Sequence, residues 1–185
     1  MTKNVKASDL IKPEDDTTFS GAHYNHVATC AELVQIALVV SEFEAHVEAL
    51  VDDGELTLSF GRNVSSCRYD EATKIAAAFF KFHLLAKAEE ATVLSLNAEY
   101  GVAYKMPDDA HAGAATHFCT HVGSFAAYPY FRSLAAQMAW NAGCPLPPMP
   151  SIAAMPVVPE SANDTTANSK RAPVAKIKRK ALKPA

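Results

Sequence analysis

The stretch from Ile75 to Tyr104 constrains the fold more than any other. From Ile75 to Ala86 the side chains fall on two faces with period two: Phe80, Phe82 and Leu84 on one, Phe79, Lys81 and His83 on the other. Period two belongs to a β-strand and not to a helix. Lys87-Ala88-Glu89-Glu90 turns the chain back, and Thr92 to Tyr104 gives a further strand with Leu94 and Leu96 on one face. Gly101 inside it predicts a bulge or a strand break. Because Phe79 stands opposite Phe80 and Phe82, both faces of the strand need cover.

Two more strands precede this pair. Val34, Ile36, Leu38 and Val40 alternate with Gln35, Ala37 and Val39. The apolar phase then slips by one to Phe43, Ala45 and Val47, which predicts a bulge or bend and leaves Glu42, Glu44 and Glu48 on the opposite face. After a turn at Asp52-Asp53-Gly54, Leu56, Leu58 and Phe60 alternate up to Gly61, and Val64 to Tyr69 continues that strand or adds another. Four strands joined by short turns predict an antiparallel meander.

Beyond Met106-Pro107 the period lengthens. Between Ala126 and Ala142, Phe131, Leu134 and Met138 recur at helical spacing, with Pro129 near the expected start and Gly143 as the expected cap. His111 to Ser124 is expected to be a separate helical or irregular segment, since proline disfavours helical geometry at Tyr128. Four prolines between Pro145 and Pro150 then force an extended path, although Leu146, Met149, Ile152 and Met155 are apolar and must lie against something. The fold class is thus α+β: a four-stranded antiparallel sheet, then a long helix packed on one face.

Both ends differ from this middle. Residues 1–28 are polar, without sustained period, and read as a flexible arm in which His23 and His26 are solvated. Residues 159–185 hold almost no large apolar side chains and read as a disordered basic tail. All 20 acidic residues lie at or before Asp164, whereas seven of the 17 basic residues lie at or after Lys170. The acidic body should repel nucleic acid, and the tail could touch an anionic partner. No apolar run is long enough to span a membrane, and the N-terminus has no signal-peptide pattern. Cys30, Cys67, Cys119 and Cys144 are widely spaced, as expected of reduced thiols in a cytoplasmic protein.

The order of elements, with its particular residues, resembles the SecB family of protein-export chaperones. Phe125-Ala126-Ala127-Tyr128-Pro129-Tyr130-Phe131-Arg132 carries the strongest likeness, because in that family a Pro-Tyr-x-Arg element opens the main helix. Gly143-Cys144-Pro145-Leu146-Pro147-Pro148 resembles the family's helix-ending loop and proline-bearing segment. The resemblance covers roughly residues 33–158, so a chaperone domain is expected over 29–158. It implies an ATP-independent holdase that binds unfolded polypeptides, without catalysis or cofactor, as a homotetramer built as a dimer of dimers. It also implies an apolar groove between helix, sheet and loops. Candidate client-binding residues are Val47, Leu50, Trp140, Leu146, Met149, Ile152 and Met155, since Met and aromatic side chains adapt to varied partners.

Two departures narrow that expectation. Pro156 and Pro159 leave room for at most one helical turn after Ser151, so the family's second helix is short or absent, as in SecB-like chaperones of toxin–antitoxin systems. The acidic face that export SecB presents to the motor SecA is visible only in part, at Glu42, Glu44 and Glu48. The client is therefore an exported precursor or a specific partner such as an antitoxin. A different class remains open: an anion-binding adaptor whose tail contacts RNA, ribosome or acidic lipid. No metal site is expected, because Cys119 would point away from His117 and His121 on a helix. No phosphate-cradling glycine loop or G-x-S-x-G occurs either.

Overall fold

The computed structural model describes residues 19–46, 56–89, 91–144, 146–152 and 175–177. Strands β1 (Glu32–Ala45), β2 (Leu56–Asp70), β3 (Ile75–Ala88) and β4 (Ala91–Lys105) follow a first helix, α1 (Gly21–Cys30), and precede a long one, α2 (Ala112–Asn141). A short strand, β5 (Ala175–Ile177), completes one antiparallel sheet in the order β1-β4-β3-β2-β5. No helix among the described residues is long and apolar enough to cross a membrane.

The expected meander is corrected by this order. β2, β3 and β4 are consecutive hairpins, but β1 lies beside β4 instead of β2, which is Greek-key connectivity. The hairpins have local causes: Asp70 accepts hydrogen bonds from the Ala72 amide at 3.0 Å and the Thr73 hydroxyl at 2.9 Å, closing the β2–β3 turn. Residues 46–55 separate β1 from β2 in the sequence, and the two strands are not neighbours in the sheet. Bulges interrupt β1 between Leu33 and Gln35 and between Leu38 and Val40, and β2 between Val64 and Ser66. β4 runs unbroken through Gly101, so the expected bulge or break there is absent; Phe79 and Val39 lie over the glycine instead.

Alternation sets the core. Phe80, Phe82 and Leu84 of β3 and Leu94, Leu96, Tyr100 and Val102 of β4 are buried on the face that α2 covers. Phe82 stacks on Phe131 with ring centroids 5.1 Å apart, fixing the helix over the middle of the sheet. α2 is one continuous helix with Pro129 inside it, which corrects the expected separate segment before Tyr128. Its inward residues, from Ala114 through Phe118 and Phe131 to Ala139, are buried along the whole length. That continuous burial outweighs one lost hydrogen bond at Pro129, whose side chain is exposed. Gly143, with φ of 69°, ends the helix. The amides of Gly143 and Cys144 donate to the carbonyls of Trp140 and Ala139, a Schellman closure.

Both ends of the chain depart from expectation. Residues 21–28 are helical, within α1, and not part of a loose arm. Ser20 and His23 cap that helix reciprocally, with contacts of 3.3 and 3.4 Å. Val27 is fully buried, and Tyr24 meets His117 and Phe118 of α2. His23 stacks on His111, and His26 pairs with Asp109 at 2.8 Å, so neither histidine is simply solvated. Sustained period is weak in these ten residues because only Tyr24 and Val27 face inward. Within the basic tail, residues 175–177 form a strand and are not disordered. Residues 153–174, where the short or absent second helix is expected, lie outside the described ones.

Candidate functional site

Three surfaces bear on function. The first is β1, which pairs only with β4 and leaves its other edge open among the described residues. Leu33, Val34, Leu38, Val39 and Val40 are each 46–58% exposed, half of the ten large hydrophobics exposed among the described residues. An apolar run of this kind on an open edge is a template for another chain.

The second surface is the sheet face opposite α2. Cross-strand register brings Glu42, Asn97 and His83 into one row and Val40, Glu99 and Lys81 into the next. These residues, with Asn63, line a concavity of about 310 Å³. Glu44 follows on the same face beside Ser95. Glu42 and Glu44 are thus exposed on one strand, and Glu99 joins them from β4. Glu48 lies outside the described residues. Leu94 and Leu96 are buried under the helix, so β4 gives this face only Glu99 as an acid. Burial of the His83 imidazole pushes its pKa below the usual value and favours the neutral ring.

The third surface runs along the outside of α2 into the proline-rich segment. Phe125, Tyr130 and Trp140 are exposed, Trp140 to 73%. Leu146 is half-buried against the core, while Met149 and Ile152 are only 7% exposed. The Tyr128 hydroxyl donates to the Pro150 carbonyl and holds the segment down. In this arrangement Met149 and Ile152 add to the core and do not line an open groove. Val47, Leu50 and Met155 lie outside the described residues. Trp140 alone of the seven candidates is fully at the surface among those described. Periodicity marks β1 as a strand but not as an open edge, because that depends on strand order; Phe125 and Tyr130 are exposed on α2.

Between helix and sheet, Arg62 donates to the Ser124 hydroxyl at 2.6 Å and lies 5.7 Å from the Phe125 ring centre. The Cys67 thiol donates to the Thr116 carbonyl at 3.6 Å, and its interaction with Cys119 lowers the Cys67 pKa and raises that of Cys119. His117 and His121 stack with ring centres 4.1 Å apart. Among the described residues no three His, Cys, Asp or Glu side chains converge as metal ligands.

No family model matches the sequence, and no curated protein matches it. The architecture does find a counterpart. The SecB-like chaperone of Mycobacterium tuberculosis, solved in complex with a peptide from the HigA1 antitoxin, is similar to this chain with a TM-score of 0.58. The likeness covers 71% of this chain and 96% of the other, at 19% identity. The fold is SecB-like. Strands β1 to β4, in Greek-key order, and the long helix α2 make up most of the described residues. At this identity the likeness speaks for architecture, and the SecB-like fold is the frame in which the three surfaces are read.

Proposed function

We propose that this protein is an ATP-independent holdase that binds non-native polypeptides, acts in the cytoplasm and performs no chemistry on its clients. The observation that carries the proposal is the SecB-like fold, shared with a chaperone that was solved holding a peptide. The surface chemistry supports it. Exposed apolar side chains are concentrated on one strand edge and along the outside of one helix. A holdase needs such surface, because desolvation of the client's apolar groups is its main source of affinity.

In this proposal the surfaces divide the work. The β1 edge joins copies of the chain into the dimer of dimers, which supplies the missing cover for its exposed valines. Trp140 and Leu146, together with Val47, Leu50 and Met155, bind clients. Met149 and Ile152 support that surface from beneath. The client is an exported precursor or a dedicated partner such as an antitoxin. SecA docking is left outside the proposal, because Glu42, Glu44 and Glu99 share their face with Lys81 and Phe79.

Diluting a chemically denatured client into buffer with the purified chain tests the proposal. Aggregation, followed by light scattering, should be suppressed without nucleotide, and Trp140→Ala should weaken suppression by a few-fold. No suppression for any of several unrelated clients would overturn it.

A further inference from the structure

The outer edge of β2 is occupied by the chain's own tail. Leu56 pairs with Ile177, Thr57 with Lys176 and Leu58 with Ala175, all antiparallel. β5 covers only these three of the fifteen residues of β2. This is β-strand addition, the mode by which sheet edges capture extended peptides of loosely defined sequence. The tail thus holds the place of an extended polypeptide on a protein whose fold suits it to bind one.

The charges adjoining this pairing agree. In sequence, Lys178-Arg179-Lys180 follow Ile177 directly, whereas Asp52, Asp53 and Glu55 come just before Leu56. The two chain stretches that adjoin the Leu56–Ile177 pair are therefore of opposite sign. Flanks of opposite sign would favour a weak three-residue strand at its edge, and attraction of that kind is screened by salt. The arrangement also has a use when no client is present. A Leu-Thr-Leu-Ser-Phe edge beginning at Leu56 would invite pairing between copies, and a lysine-bearing strand placed there blunts it.

We propose that the basic tail is an intramolecular competitor: β5 and extended clients bind the Leu56–Leu58 edge in mutually exclusive fashion, so that clients must displace the tail. This rests on the holdase proposal above and assigns its regulation. If β5 is docked for about two-thirds to nine-tenths of the time, the apparent client dissociation constant is raised about three- to tenfold.

The test compares the full chain with two variants. One ends at residue 169. The other keeps the tail's length but replaces Ala175, Lys176 and Ile177 by proline, which removes every strand amide of β5. The probe is a permanently unfolded polypeptide, reduced, alkylated and fluorescently labelled, and binding is read by anisotropy. At low salt both variants should bind about three- to tenfold more tightly than the full chain, and the difference should shrink near 0.5 M salt. A synthetic peptide of residues 170–185 should compete with the probe on the truncated chain. Equal affinity of full chain and variants, or weaker binding by the variants, overturns the competitor role while leaving the holdase standing. Failure of every form to bind the probe overturns the holdase proposal and the competitor with it.

Discussion

At Gly61 the ring of His83 occupies the place of a side chain. The two residues are cross-strand partners in β2 and β3, and a β-carbon on Gly61 would lie 1.8 Å from Cε1 of the imidazole. The half-buried ring is kept there on the open face of the sheet, at the rim of the concavity that Glu42 and Asn97 share. Gly61→Ala should therefore destabilise the protein by about 1–3 kcal/mol, because the ring and its strand must shift to make room. In a His83→Ala background the space is already empty, and the same substitution should cost much less. Urea unfolding of the four forms measures this coupling. A similar cost in both backgrounds would show that backbone preference, and not the ring, requires the glycine. The sequence marked Gly61 only as the end of an alternating run. Its partner could not be read there, because pairing His83 with Gly61 depends on the β2–β3 register.

At the scale of the element, α2 shows how burial along one face overrides a local signal. Pro129 has no amide to donate to the Phe125 carbonyl, and it opposes helical geometry at Tyr128. The helix continues regardless, because Ala127, Tyr128 and Phe131 are buried against the sheet on both sides of the proline. Pro129 itself faces solvent, so water can satisfy the freed carbonyl. Pro129→Ala should then restore the hydrogen bond at little steric cost. The expected net gain is about 2 kcal/mol, allowing for the added freedom of the unfolded chain. A denaturation midpoint unchanged or lowered by this substitution would mean that a bend at Pro129 is needed to fit the helix to the sheet. α1 teaches the converse. Its pattern is weak in sequence, yet the Ser20–His23 cap and the Tyr24 and Val27 contacts hold it on α2.

For the whole molecule, the proposed assembly rests on the edge of β1 that stays open among the described residues. A single chain leaves Val34 58% and Val40 47% exposed beside Leu33, Leu38 and Val39. α2 lies mainly over β2, β3 and β4 and barely reaches this strand. Self-association is the economical way to cover such an edge. Light scattering after gel filtration should give an oligomer, with four copies as the expected state. Val34→Lys together with Val40→Lys should lower the mass while leaving circular dichroism unchanged, since both side chains already reach solvent. A monomeric wild type at micromolar concentration, or an unchanged mass in the double variant, would sink the β1 assignment.

The identity of β1 to β4 and of the second half of α2, the helix-closing glycine at 143 and the α+β class follow from the sequence by itself, because each depends on side-chain period or on one residue's backbone preference. The likeness carried by Pro129-Tyr130-Phe131-Arg132 and the proline-rich segment already points to the SecB-like fold. Strand order was beyond reach: β1 beside β4 and β5 beside β2 are pairings between distant residues, and period says nothing about which strand is the neighbour. Burial of the proline-rich segment was likewise settled in three dimensions, where Tyr128 bonds to the Pro150 carbonyl and Met149 and Ile152 are buried. The apolar candidates were recognisable as apolar from composition. Whether each faced the core or the solvent depended on what the tertiary structure placed against it.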